Sequence, residues 1–349
     1  MSDPYPILAF NLKEASQAEY IALNHFNNLL RLESLPDDPP VPLDELIQGI
    51  QNIPSFVEVK TWCAWDPSRV EIIGQGEVHL LHIPENQHIT QIFISVLPAY
   101  RRQGLGRNLL ALVTEAARLD NRSLLFIETT DRIPGGEAFM IRLGARKGLE
   151  AHMHQLCLSD LDHSLVESWL LKGKGLVDDF ELGLWEGPYP EEQIDAVIQL
   201  YELTNQVPLG ELEFEQSHMT REQLRESEQY LFACGYQRWT YYIVERANGN
   251  FSGYTEATWN PNHPEVLNQD MTGVFSEYRN QGLGRWLKAA MIEKVLREHP
   301  EIKFVRTGNA DTNAAMLKIN TELGFKPYYA STFWQVEVER VLAYLTETQ

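Results

Sequence analysis

The sequence predicts an α/β chain of two domains of similar length, each a mixed sheet with helices on both faces, related by an internal duplication. Three observations carry this expectation. The stretch Tyr100-Arg101-Arg102-Gln103-Gly104-Leu105-Gly106-Arg107-Asn108-Leu109 returns as Tyr278-Arg279-Asn280-Gln281-Gly282-Leu283-Gly284-Arg285-Trp286-Leu287, identical at all but two positions. The copies stay in register, since Arg101 to Arg279 spans 178 residues and Gly144 to Gly324 spans 180. Strand-like and helix-like runs also follow one another in the same order around both copies. With 349 residues, 44% of them hydrophobic, each half can bury a core of its own.

In the first half a short apolar run ends at Phe10 and an amphipathic helix is expected over 14–32. A loop rich in Pro and Asp follows at 36–42, then a short helix over 44–52. Runs with strand character occupy 56–64, 69–81 and 89–96, ahead of the glycine loop. Beyond it come a helix to about Leu119, a buried strand over 124–128, a short helix ending near Leu143 and interrupted by Pro134-Gly135-Gly136, and closing strands to about Leu158. The second half repeats the order: a strand over 180–185, helices over 191–204 and 220–232, and strands over 237–246, 253–259 and 266–274. After the second loop and its helix come a strand over 303–307, a helix over 312–323 and closing strands over 328–338. The expected domains are 1–160 and 176–349, joined by a linker at 161–175 in which Leu165, Trp169 and Leu170 have helical spacing. The charged end from Glu337 to Arg340 reads as a solvated face.

A formal charge of −20 argues against nucleic acid as partner, because general affinity for it rests on Lys and Arg. No run is long and apolar enough for a bilayer, and the start at Met1 lacks a cationic region followed by an apolar core, so no membrane association and a cytoplasmic location are expected. Three scattered cysteines, Cys63, Cys157 and Cys234, fit neither a disulfide framework nor a metal site. His79, His82, His88, His152 and His154 also lack ligand spacing, so no metal is expected. Trp239, Tyr241, Tyr242, Tyr254 and Trp259 read as core rather than as an acceptor pocket.

Each loop follows an apolar β-branched strand and opens a helix-like run. At such a turn glycines let the backbone take φ > 0 and approach a ligand, and the helix start offers unpaired amides and a positive dipole end. That is an anion cradle suited to phosphate, with Arg101, Arg107, Arg279 and Arg285 as added donors. A dinucleotide-binding turn would follow the first strand of its domain, and a nucleoside-triphosphatase loop would need Gly-Lys before Ser or Thr; neither condition holds.

On these residues the chain resembles two GNAT-superfamily N-acetyltransferase domains in tandem. Arg101, Gly104 and Gly106, and again Arg279, Gly282 and Gly284, match the superfamily's motif of Arg or Gln, two residues, Gly, one residue, then Gly or Ala. The resemblance implies that the loop amides of Gln281, Gly282, Leu283, Gly284 and Arg285 hold the pyrophosphate of acetyl-CoA, with Arg279 and Asn280 also at the cofactor. It also implies that the main chain of Val274 and Phe275 pairs with the pantetheine arm. Asn309, Asn313, Met316, Asn320 and Leu323-Gly324-Phe325 resemble the arm-facing helix and its following strand, so the second half is similar to the active domain of mycothiol synthase-like tandem acetyltransferases. In many relatives a tyrosine that protonates the departing thiolate stands where this chain has Asn320; Tyr328, Tyr329, a water or the thiolate's own stability must then cover that role. In the first half Val96, Arg101, Arg102, Gln103, Gly104, Leu105, Gly106 and Arg107 keep the loop, while Ile133 and Met140 stand where the second half has Asn313 and Asn320. That half is therefore expected to bind the cofactor or merely to pack.

Acetyl transfer to an amine requires removal of a proton, because an alkylammonium with a pKa of about 10.4 cannot attack. Glu256 and Asp270 are the candidate bases, each in a strand otherwise poor in charge, and a fourth-strand amide such as that of Val274 is the candidate oxyanion donor. The expected function is acetyl transfer from acetyl-CoA to a primary amine of a small molecule. A non-catalytic acyl-CoA-binding or sensing protein and a peptide or protein N-acetyltransferase are the alternatives, and the oligomeric state is open.

Overall fold

The computed structural model describes residues 5–347; Met1 to Pro4, which belong to the start assessed above, and Thr348 and Gln349 lie outside the described residues. The first half opens with β1 (Ile7–Phe10), α1 (Gln17–Ser34) and α2 (Leu43–Gln51). Ser16 and Glu19 form a capping box that satisfies two orphan amides, which is why α1 begins there rather than at residue 14. Three strands follow, β2 (Val57–Trp65), β3 (Ile72–Leu81) and β4 (Ile89–Val96), then α3 (Leu105–Leu119), β5 (Leu124–Thr130), α4 (Pro134–Leu143) and β6 (Arg146–Cys157). Pro134 does not interrupt a helix as its sequence suggests but opens α4, where a missing N–H costs nothing.

The second half runs α5 (His163–Lys174), β7 (Phe180–Glu186), α6 (Ile194–Tyr201), α7 (Arg221–Ala233), β8 (Gln237–Glu245), β9 (Phe251–Trp259), β10 (Val266–Val274), α8 (Leu283–Glu298), β11 (Phe304–Ala310), α9 (Ala314–Leu323), β12 (Lys326–Glu337) and α10 (Val338–Glu347). The segment 161–175 is largely α5, capped by Asp162, with Val166 and Trp169 buried beside Ala289 and Ile292 of α8. The charged end is likewise half of a helix: Glu337, Glu339 and Arg340 are exposed, but Val338, Val341 and Tyr344 of α10 are buried.

The chain folds into two compact units, and both are composite. Unit 1 comprises the chain through Glu150 together with Leu209–Glu215 and everything from Ser331 on; unit 2 comprises Ala151–Pro208 and Gln216–Ala330. Within unit 1 the strand order is β1-β2-β3-β4-β5 followed by β12, which pairs antiparallel with β5 from Ser331↔Thr130 to Glu337↔Leu124. Within unit 2 the order is β6-β11-β10-β9-β8-β7, with β6 pairing antiparallel with β11 from Phe304↔Cys157 to Ala310↔Ala151. Each unit thus takes one strand from the other half of the sequence. The core of unit 1 buries Trp334 and Val336 with Val78, Leu110 and Leu125, and that of unit 2 buries Leu156 and Leu158 with Leu267, Ile292 and Val305.

Candidate active site

In unit 2 the one parallel pairing, β10 with β11, holds only from Val266↔Phe304 to Asn268↔Arg306, and beyond it the two strands part. On its other side β10 stays paired with β9, so the fork exposes one edge of β10 from Gln269 to Val274. Phe275 N–H donates to Ser252 O, which makes Val274↔Gly253 and Thr272↔Thr255 non-hydrogen-bonded pairs and turns the amides of Val274 and Thr272 away from β9. An extended ligand can add there as a strand would.

The glycine loop caps the open end of this fork. Gly282 is the N-cap of α8 with φ of 88°, a conformation that penalises any side chain, and Asn280 precedes it at φ of 65°. The first amide with a helical partner is that of Arg285, which donates to Gly282 O at 3.1 Å, so the amides before it are the helix's orphan donors. A Cβ on Gly284 would meet Ile319 and Val274 only at ordinary distances of 3.6 and 3.9 Å, so the fold itself does not demand glycine there. The arginines are otherwise engaged. Arg279 Nε donates to Val274 O at 3.1 Å and its guanidinium reaches Gln206 at 2.6 Å, while Arg285 pairs twice with Glu322 at 2.8 Å.

Strand alternation places Glu256, Thr258, Asn268, Asp270 and Arg306 on the sheet face opposite α8. The Glu256 carboxylate, 13% exposed, accepts from Tyr189 O–H and from Thr240 Oγ1 at 3.3 Å, with Arg238 Nε at 3.7 Å. Arg238 is in turn buried, stacked 3.6 Å from the centroid of Tyr189 and paired with Glu228. Burial, then the charge of Glu256, hold the Tyr189 phenol well above its usual range, so it remains a donor.

Asp270 is different. It lies in the bulge between Gln269 and Thr272, accepts from Thr258 Oγ1 at 2.8 Å, and is crowded by protein yet exposed to solvent. Enclosure first and the Glu256 charge second raise its pKa from 3.8 to about 7, against the Thr258 hydrogen bond. Solvent at the carboxyl limits that rise without reversing it.

Asn313 caps α9 by accepting from Met316 N–H at 3.3 Å, and Asn320 Nδ2 donates to Asn309 Oδ1 at 2.6 Å. Tyr328 accepts from Arg306 Nη2 at 3.3 Å and lies beneath its guanidinium, 4.5 Å from ring centroid to cation. Trp239, Tyr254 and Trp259 are buried in the core clusters of unit 2.

Unit 1 has the same loop and fork but a different interior. Gly104 sits at φ of 90° and Arg102 at 64°, and β4 pairs with β5 only from Ile89↔Leu124 to Gln91↔Phe126. Its β3–β4 register is unbroken, so the bulge of β10 has no counterpart and the repeat is 177 residues at the fork against 178 at the loop. Arg101 pairs with Glu33 at 2.6 Å, setting a carboxylate beside the loop, and Arg107 donates to Leu345 O. Glu77, which like Glu256 lies three residues past the glycine paired with the valine before the loop, accepts from Thr61 at 3.2 Å and approaches His79 at 3.3 Å. A cavity of about 830 Å³ lined by His82, His88, Asp120 and Arg122 lies at the far end of β4 from the loop and holds none of these groups.

A fork whose exposed strand edge ends at a helix start with unpaired amides, with carboxylates on the adjoining face, is an arrangement suited to an acyltransferase. The chain belongs to the acetyltransferase (GNAT) family, whose model matches residues 26–135 and 198–325, one stretch in each half. Among solved structures it is similar to a tandem GNAT protein from the clavulanic acid biosynthesis pathway, with a TM-score of 0.75 and 23% identity over 96% of this chain and 98% of that one. A GCN5-related N-acetyltransferase from Sphaerobacter thermophilus follows with a TM-score of 0.66 and 12% identity over 97% of both chains. A search of curated protein sequences gave no match. Two tandem GNAT domains and an acyltransferase activity are therefore established by family; among the described residues no cluster of three metal-ligating side chains occurs and no helix is long and apolar enough to cross a membrane.

Proposed function

We propose that unit 2 transfers the acetyl group of acetyl-CoA to a primary amine of a small molecule by direct attack, with Asp270 as general base. The pyrophosphate lies on the amides from Gln281 to Gly284, and the pantetheine arm runs along β10 toward the closed end of the fork, leaving the acyl group beside the bulge. Thr272 then replaces Val274 as the oxyanion donor: Val274 lies four residues from Asp270, roughly 13 Å along a strand, too far for both to serve one carbonyl.

The observation that carries this reading is the pairing of two carboxylates in unlike settings on one face. Glu256 is tied to Tyr189 and Thr240, whereas Asp270 accepts from Thr258 and reaches solvent, its pKa raised toward the range where a base is most effective. The amine binds as a cation, loses one proton to Asp270, which passes it to solvent, and attacks the thioester carbonyl; the C–S bond breaks with its electron pair on sulfur, and the surplus proton on the new amide nitrogen goes to Asp270 in turn. Overall acidity favours cationic acceptors.

Acetyl-CoA and a panel of primary amines, followed by thiol release and product mass, test the activity. Asp270→Asn is expected to lower kcat/KM at least a hundredfold while leaving coenzyme A affinity within about threefold. Unaltered kcat/KM in folded Asp270→Asn removes the assignment of the base, and failure of the whole panel with the wild-type protein removes the reaction.

A further inference from the structure

Lys288 is 1% exposed and lies on α8, four residues past Gly284. Its ammonium donates to Gln269 Oε1 at 2.9 Å and to Asn320 Oδ1 at 2.7 Å, and Asn320 passes the chain on to Asn309 on β11. Those bonds bridge β10 and β11 where their backbone pairing has just ended at Asn268↔Arg306. Among the described residues no carboxylate pairs with Lys288: Glu256 and Asp270 face the other side of the sheet, and the neighbouring Lys294 takes up Glu186 and Glu298. Burial alone pulls its pKa from 10.5 down to about 7.

An ammonium buried among neutral partners is costly, and the fold does not require one. Unit 1 supplies the comparison. Ile92, like Gln269, follows the last parallel pair; Leu110, like Lys288, stands four residues past the second loop glycine; Met140, like Asn320, precedes its helix-ending glycine by four. All three are buried in one apolar cluster, so the same architecture packs with hydrocarbon at those positions. The polar trio belongs to the half that also has the bulge and the exposed Asp270.

The chemistry proposed above leaves two electrons on sulfur when the C–S bond breaks. A thiol with an ordinary pKa of about 8.5 is a reluctant anion at neutral pH. We propose that Lys288 is a positioning residue that acts through Gln269 and Asn320 at the closed end of the fork to stabilise the departing thiolate of coenzyme A. The thiolate leaves as such or takes its proton from solvent, and Lys288 keeps its own.

This rests on the reading of unit 2 as the transferase, but its test does not need turnover. Ionisation of coenzyme A bound to the protein is followed by thiolate absorbance against pH, in the wild type and in Lys288→Leu, the residue unit 1 uses. The acid dissociation constant of the bound thiol is expected to be at least tenfold above that of free coenzyme A in the wild type and within twofold of it in the variant. In turnover, Lys288→Leu is expected to lower kcat at least tenfold with KM for acetyl-CoA within threefold. If the single variant does not fold, Gln269→Ile/Lys288→Leu/Asn320→Met, which installs the whole apolar set, carries the measurement. Equal ionisation in wild type and variant overturns the assignment of Lys288, whatever the activity. A Lys288-dependent shift without acetylation of any amine would leave the assignment standing and overturn the transfer reading alone. Absence of coenzyme A binding overturns both.

Discussion

Asp270 and Glu256 share a face, and the charge on one sets the readiness of the other. Glu256→Gln removes the negative neighbour but keeps an acceptor for Tyr189, so the Asp270 carboxyl should ionise more readily. The expected result is a pH profile of kcat/KM whose acid limb lies above the ordinary carboxylate range in the wild type and moves down by about half to one unit. A limb that stays in place shows that Asp270 does not govern it. Lys288 has the opposite linkage. Its folded pKa is depressed from 10.5 to about 7, so below pH 7 the folded protein bears the full cost of a buried charge and above about 10.5 it bears none. Lys288→Leu should therefore raise the melting temperature most at or below pH 7, with the gain shrinking toward pH 10.5; a uniform or reversed effect contradicts the burial of the charge. The two carboxylates were legible in sequence as lone charges in uncharged strands, although nothing there separated base from neighbour. Lys288 was not legible, because a lysine in a helix-like run is ordinarily solvated and only its tertiary surroundings show otherwise.

The loop was legible as an element because its chemistry is local: glycine at a positive φ, an apolar strand before it, a helix after it; the fork, set by how far two distant strands pair, was not. The β10 bulge escaped notice, since its extra residue lies ahead of the loop, where the offset passes from 177 to 178, whereas the sequence landmarks run from the loop onward. Both loops look alike in sequence, yet unit 1 has Glu33 beside its loop where unit 2 has Gln206. Filling the loops separately distinguishes them. Gly284→Val should abolish coenzyme A binding, because the added methyl groups occupy the ligand's approach, whereas Gly106→Val should leave binding within about twofold. Titration calorimetry on both variants reads this directly. Loss of binding in Gly106→Val, with Gly284→Val unaffected, would place the donor in unit 1 instead.

At the scale of the whole molecule, the duplication is evident in the sequence but the exchange of closing strands is not. Alternating side chains mark β6 and β12 as strands without saying which edge each completes, and the natural assumption is that each closes its own half. Instead β12 pairs with β5 of unit 1, and β6 with β11 of unit 2. A chain cut within 161–175 thus fails to yield two self-sufficient domains. The fragment 1–160 lacks Trp334 and Val336 of β12 and Val338, Val341 and Tyr344 of α10, five side chains buried in its core, and leaves the apolar edge of β5 unpaired. It should melt without a cooperative transition or aggregate, and adding a peptide of residues 331–349 should restore cooperativity, because those residues supply the missing strand and helix as one continuous segment. Circular dichroism melts of the fragment with and without the peptide measure this. A fragment 1–160 that melts as cooperatively alone as with the peptide would show that β12 and α10 add nothing to the unit they complete.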